Sequence, residues 1–331
     1  MRSLSVSEKQ VVYYSIALWP ESPEFASRYC SQLCASVSSL RQFNREIPIF
    51  VFVYGPMAEQ YASDLVESDA IIKQMGPYEK ALQQVAPATW TVLATYPVLH
   101  RWMVFDILEE LNPRQILYLD CDTFFLDDVR RLFDQYTSAG IYAREEPFSR
   151  RSHLGYDPSY LDEDRLSALL PGPTTRSLLP FNIGVCLMNA GSWRSVHRRL
   201  GVFFDYVWRF LLWAHQNPTR ARSAPEWAKN LLAPVLAALG PVEPLPLPSN
   251  NAWIIDQMSL WLTLGDVPDL SVGLFQRSDV LQGGEFLDRE PGLGDPVLCH
   301  YYGANTSRFF RWLETESGVL TDGNESSRNG A

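Results

Sequence analysis

The run Ile116-Leu117-Tyr118-Leu119 leads straight into Asp120-Cys121-Asp122-Thr123. Four apolar residues in a row are too apolar for a surface turn. They read as a strand buried on both faces, as strands of parallel sheets are. Open α/β sheets bind ligands beyond the carboxyl ends of their strands, and that edge is where Asp120 and Asp122 are expected. Hard cations such as Mg²⁺ and Mn²⁺ take oxygen ligands and are held by one or two carboxylates plus substrate phosphates, so the Asp-x-Asp reads as a metal and diphosphate clamp. The plainer use of an acidic pair, capping a helix, is already met by Asp127-Asp128 ahead of the helix expected over 129–136.

The flanking sequence alternates between strand and helix patterns. A β-rich apolar run over 11–18, helical spacing over 25–43 (Tyr29, Leu33, Val37, Leu40) and a second strand over 47–54 make a β-α-β unit with a parallel pair. A helix over 59–66 and a short strand over 70–74 follow. One helix is expected from Pro97 to Leu111, stopped by Asn112-Pro113, and a further strand over 141–144. Residues 145–180 turn polar and rich in Pro and Ser and read as an inserted loop with room for one helix, either a lid or acceptor wall or mere decoration. Beyond it come a strand over 183–188 and one long helix from Trp193 to His215. The apolar stripe of that helix (Val202, Phe203, Tyr206, Phe210, Trp213) reads as core. A helix over 226–239, a Pro-rich connector over 241–248, a helix over 253–264 and a last strand over 296–301 complete the pattern. The expected organisation is one α/β domain over residues 1–312 and a polar, disordered tail over 313–331.

Composition excludes several classes. With 46% hydrophobic and 13% aromatic residues in 331, the chain can bury a large core, and its net charge of −10 argues against nucleic acid as a partner. Met1–Gln10 is polar and no stretch of 18 apolar residues occurs, so a cytoplasmic protein without a transmembrane segment is expected. The five cysteines are an odd number, without a Cys-x-x-Cys, and read as free buried thiols. No GxGxxG, Walker, HExxH or GxSxG motif appears. Haloacid-dehalogenase-type phosphatases also begin on a strand ending in Asp-x-Asp, but there the motif lies near the N-terminus, and here 119 residues precede it. A sugar nucleotidyltransferase would need a Gly-rich, basic first loop, which Ala17-Leu18-Trp19-Pro20 is not.

Four segments taken together resemble one family. Leu99 to Trp102 with Leu117 to Thr123, then Phe181-Asn182-Ile183-Gly184-Val185, Asp256-Gln257 and His300-Tyr301-Tyr302-Gly303, are similar, in order, to the blocks of GT-A fold glycosyltransferases of the family that contains glycogenin and the bacterial lipopolysaccharide galactosyltransferases. The resemblance spans roughly residues 10–310. It implies a nucleotide-diphospho-sugar transferase fold, with a Rossmann-like, mostly parallel central sheet flanked by helices. It also implies transfer of a hexose from a UDP-sugar to an unknown acceptor, with retention of configuration. Asp120, Asp122 and His300 would hold Mn²⁺ or Mg²⁺. Asp256, Gln257 and Asn182 would face the donor sugar as the catalytic group. Ala17, Leu18, Trp19, Arg101, Cys121, Gly303 and Arg308 would join the two aspartates around the nucleotide. Two departures stand out: Val98 replaces a basic residue, and Gly303-Ala304-Asn305-Thr306 lacks the family's lysine, leaving Arg308 to meet the diphosphate. The alternative is a catalytically degenerate relative that binds nucleotide sugar only.

Overall fold

The computed structural model describes residues 10–18, 23–145, 181–216, 255–265, 270–288 and 295–316, with a few isolated positions besides. The inserted loop expected over 145–180, the helix over 226–239 and the connector over 241–248 fall almost wholly outside the described residues.

The chain begins with β1 (Gln10–Ala17), α1 (Pro23–Phe43), β2 (Ile49–Tyr54), α2 (Glu59–Glu67) and β3 (Ala70–Gly76). After α3 (Tyr78–Val85), α4 (Trp90–Leu93) and α5 (Phe105–Leu111) come β4 (Gln115–Leu119), β5 (Thr123–Phe125), α6 (Arg130–Gln135) and β6 (Ile141–Glu145). The later part holds β7 (Phe181–Asn189), α7 (Ala190–Arg198), α8 (Leu200–Gln216), α9 (Ile255–Gly265), β8 (Val272–Leu274), β9 (Val280–Gln282), β10 (Leu298–His300) and α10 (Thr306–Glu316).

Seven strands form a sheet in the order β3-β2-β1-β4-β7-β6-β8. All neighbours pair in parallel except across β7, which runs antiparallel to both β4 and β6. This is the mostly parallel, Rossmann-like α/β sheet expected from the sequence. Alternation along the strands splits the core into two layers. Tyr13, Ile116 and Tyr118 face one layer with Phe203, Phe210 and Trp261; Tyr14, Leu117 and Leu119 face the other with Leu33, Val37 and Phe133. Residues 115–119 are buried throughout, as a strand covered on both faces must be. The N-cap of α6 is Val129, which makes no side-chain cap bond; Asp128, one residue ahead of it, accepts the Arg130 backbone N–H at 2.9 Å instead.

A second, three-stranded sheet in the order β5-β10-β9 stands beyond the end of β4. Its own small core joins Leu281, Phe286, Cys299 and Tyr301 to Phe309 and Leu313 of α10. Antiparallel pairing sets His300 opposite Thr123, next to the Asp-x-Asp.

Three local expectations are corrected. Residues 97–111 are not one helix: a 3-10 turn over Pro97–Trp102 precedes α5. The tighter turn buries Leu99, His100, Arg101 and Trp102 in succession, which the single stripe of an α-helix cannot do. The long helix from Trp193 divides at Arg199, two residues before Gly201, which sits in the first turn of α8 and has little intrinsic hold on helix geometry. Finally, α10 runs to Glu316, past the expected start of the polar tail, because Phe309 and Leu313, one turn apart, bury together. Among the described residues, no helix is long and apolar enough to cross a membrane.

Candidate metal and donor site

Strand β4 ends at Leu119, and the next residues turn their side chains toward the gap between the two sheets. One ligand atom each from Asp120, Asp122 and His300 lies within 4.8 Å of the others. His300 Nε2 is 3.2 Å from Asp122 Oδ1 and 3.7 Å from Asp120 Oδ2. Backbone bonds fix all three, His300 through its carbonyl, which accepts the Gly283 N–H at 2.8 Å. The Asp120 N–H donates to Gly184 O at 2.7 Å, and the Tyr301 N–H donates to Asp122 O at 3.0 Å. Thr123 is buried, its hydroxyl on Asp120 O at 2.9 Å and beside Ser36 of α1 at 2.7 Å.

The space around these donors depends on Gly184. A Cβ there would lie 2.1 Å from His300 Cε1, 2.6 Å from His300 Nε2 and 2.7 Å from Asp120 Oδ2. The site is therefore a cradle that a methyl group would fill. Two carboxylates and an imidazole converging on such a gap form a donor set for a divalent first-row metal, and the residues present fit one.

Behind the cradle sits Arg101, 6% exposed. Its Nη1 is 3.3 Å from Asp120 Oδ1, its Nη2 is 3.7 Å from Asp256 Oδ2, and its Nε donates to Val98 O at 3.0 Å. Burial disfavours the cation, but Asp120, Tyr118 and Asp256 outweigh it and hold the guanidinium pKa above its usual value. The neighbouring His100 is kept neutral: burial, then the charge of Arg101, lowers its pKa to about 3, and its Nδ1 lies 2.8 Å from Ser15 Oγ.

Asp256, at the start of α9, is 2% exposed. Burial raises its pKa, and Arg101 opposes the rise. The Tyr96 hydroxyl donates to Oδ1 at 3.2 Å. Among the described residues no hydrogen bond reaches the buried Oδ2, which faces the Arg101 guanidinium at 3.7 Å. The Asn182 side chain turns back on its own strand, its Oδ1 accepting the Gly184 N–H at 2.8 Å, and Gln257 Oε1 accepts the Ile183 N–H at 3.3 Å. Both bonds serve an irregularity of β7, whose register with β6 slips between Ala143 and Arg144, partnered by Cys186 and Asn182. Bulges of this kind re-aim residues beside sites; this one carries Gly184 to the metal cradle.

The remaining expected residues are more scattered. Cys121 is buried between the two aspartates, and burial pushes its thiol pKa well up. Ala17 ends β1, and Leu18 just after it lines a cleft of about 440 Å³ between α1 and α2 with Pro23, Ser27, Met57 and Tyr61. Gly55, at φ +91°, passes so close that a Cβ would lie 2.1 Å from Leu18 O. Trp19 lies outside the described residues. Gly303 is exposed, and Arg308 is exposed in the first turn of α10 with Nη1 3.4 Å from Asn305 Oδ1. Sequence reasoning missed Tyr96, Tyr118 and Ser15. Tyr118 carried a readable signal, since it is the one polar-tipped residue in the apolar run ahead of Asp120.

No family model matches the chain, and neither does any curated protein. Solved structures do. Mouse xyloside xylosyltransferase 1 in its apo form is 14% identical over 90% of this chain and 98% of that one, with a TM-score of 0.46. An active-site mutant of LgtC is 14% identical over 95% and 97%, with a TM-score of 0.46. The glycosyltransferase GlyE of Streptococcus pneumoniae is 13% identical over 94% of this chain and 62% of that one, with a TM-score of 0.48. These identities and TM-scores are too low to bring a donor, an acceptor or a residue role to this chain.

Proposed function

We propose that this chain is a metal-dependent GT-A glycosyltransferase that moves a hexose from a UDP-sugar to an acceptor. The observation that carries the reading is the cradle at Gly184, where Asp120, Asp122 and His300 converge within 4.8 Å. An imidazole among the donors favours Mn²⁺ over Mg²⁺, which prefers all-oxygen shells. A bound cation supplies positive charge against the diphosphate leaving group. Asp256 offers its unsatisfied Oδ2 to the donor sugar and opposes positive charge developing at the reacting carbon. Arg101 lies 3.3 Å from Asp120 Oδ1 and 3.7 Å from Asp256 Oδ2, and it opposes the rise that burial gives the Asp256 pKa. Retention of configuration and the roles of Asn182 and Gln257 rest on the family resemblance.

The metal assignment is tested by thermal melting. UDP with Mn²⁺ should raise the parent's Tm, because a ligand that binds only the folded state stabilises it by mass action. Asp122→Asn should lose that shift while the ligand-free protein stays folded. A variant that keeps the full shift removes the assignment.

Arg308 is the cation proposed to meet the diphosphate, since Arg101 is already held by two carboxylates. Arg308→Ala should weaken UDP more than uridine, by about 1.5–3 kcal/mol, the range for a hydrogen bond to a charged group. Calorimetric titration of both ligands decides: equal losses point to damaged folding, and no loss leaves the diphosphate to the metal.

The second reading, a non-catalytic binder of the same nucleotide sugar, is favoured by the missing lysine after Gly303 and by Val98. Release of UDP from a panel of UDP-sugars, with and without Mn²⁺, separates the two.

A further inference from the structure

Tyr118 and Asp120 stand two positions apart along the line of β4, so their side chains share one face. The Tyr118 ring is buried, with its centroid 5.2 Å from that of Tyr13 on one side and 4.9 Å from the Arg101 guanidinium on the other. Its hydroxyl donates to Oδ1 of Asp120. Arg101 Nη1 approaches the same oxygen at 3.3 Å. The other oxygen, Oδ2, faces His300 Nε2 at 3.7 Å and borders the gap at Gly184. The two oxygens of one carboxylate thus have different neighbours, one protein-bound and one turned to the cradle.

We propose that Tyr118 is a positioning residue for the metal: with Arg101 it occupies Oδ1, so that Asp120 meets a divalent cation through Oδ2 alone. This rests on the reading of Asp120, Asp122 and His300 as a metal centre. Ions of the Mg²⁺ and Mn²⁺ type take about six ligands in near-octahedral array. One atom from each protein ligand leaves about three positions for diphosphate oxygens and water, and a two-oxygen grip by Asp120 would remove one of them. The proposal also accounts for a tyrosine in the run 116–119, whose other positions are plain hydrocarbon. A leucine would fill the core as well, and only the phenol adds a donor at the ring's tip.

The test is titration of Mn²⁺ into the full chain without nucleotide, for the parent, Tyr118→Phe and Asp122→Asn. Tyr118→Phe should bind Mn²⁺ about 10- to 100-fold more weakly, the usual effect of losing a partner that orients a ligand. At saturating Mn²⁺ its UDP affinity should return to the parent's, whereas a merely structural tyrosine would loosen UDP at every Mn²⁺ concentration. Unchanged Mn²⁺ affinity in a folded Tyr118→Phe protein overturns the proposal and leaves the metal centre standing. A parent that binds no metal, or an Asp122→Asn variant that binds as tightly, overturns the metal centre and the proposal together. If Tyr118→Phe does not fold, a crystal structure of the parent with Mn²⁺ decides. Asp120 on the ion through Oδ2, with the Tyr118 hydroxyl on Oδ1, supports the proposal; both oxygens on the ion overturn it.

Discussion

Asp256→Asn is expected to lower UDP-sugar turnover by about 10²-fold or more while UDP affinity and Tm stay near the parent's, because the charge it removes acts on the transition state rather than on the bound nucleotide. The substitution is nearly isosteric, and an amide oxygen at the Oδ1 position still accepts from Tyr96. Two facts limit the cost to folding. Arg101 approaches Asp256 only to 3.7 Å, beyond a hydrogen bond, and it keeps Asp120 at 3.3 Å. A lone buried carboxylate–guanidinium pair would behave differently, since breaking one costs about 3–5 kcal/mol. Initial rates of UDP release, set beside calorimetric UDP binding, read both quantities. Turnover equal to the parent's would make Asp256 structural. A parent that binds UDP and Mn²⁺ but turns over no UDP-sugar would favour the non-catalytic reading.

Gly184→Ala should strike the other half of the site. Its methyl would enter the gap 2.1 Å from His300 Cε1 and 2.7 Å from Asp120 Oδ2, so backbone or ligands must move. The stability cost is expected at about 1–3 kcal/mol, as for an overfilled core, and Mn²⁺ affinity should fall by at least about 10- to 100-fold. Gly191→Ala is the control, because nothing lies within 4 Å of its added Cβ. Metal titration and denaturant melts of the two variants separate loss of the site from loss of the fold. A folded Gly184→Ala protein with parental Mn²⁺ affinity would show that this gap is not where the ion sits.

How much of this was legible depended on whether a residue's role is local. Strand β4 could be read because burial on both faces demands an unbroken apolar run, and its end places Asp120 and Asp122 without further information. His300 was legible only through the order of blocks, since nothing near it in the chain indicates that β10 pairs with β5. In the sequence Arg101 reads as a nucleotide contact within one helix from Pro97 to Leu111. Its burial follows from the 3-10 turn and from two carboxylates that are remote in sequence, and periodicity sees neither. The helix α10 was hidden because Thr306, Ser307, Arg308 and Arg311 make its stretch polar on average, although Phe309 and Leu313 bury one face. The function of Gly184 was invisible for a different reason: it lies in what the residue leaves out, and only the neighbours' positions show it.

The small sheet β5-β10-β9 gives the site its own equilibrium. Two of the three ligands leave the large sheet at the end of β4, and the third arrives on a three-residue strand held by β5 on one side and β9 on the other. A sheet of three-residue strands opens at lower free energy than the longer strands of a large central sheet. Each excursion of β10 from β5 would carry His300 away and leave the carboxylates behind. The dissociation constant an experimenter measures is then the intrinsic one divided by the fraction of molecules with β10 docked. Substitutions in the Phe286–Tyr301–Phe309–Leu313 cluster, which never touch the ligand, can in this way tune occupancy through the docking constant alone.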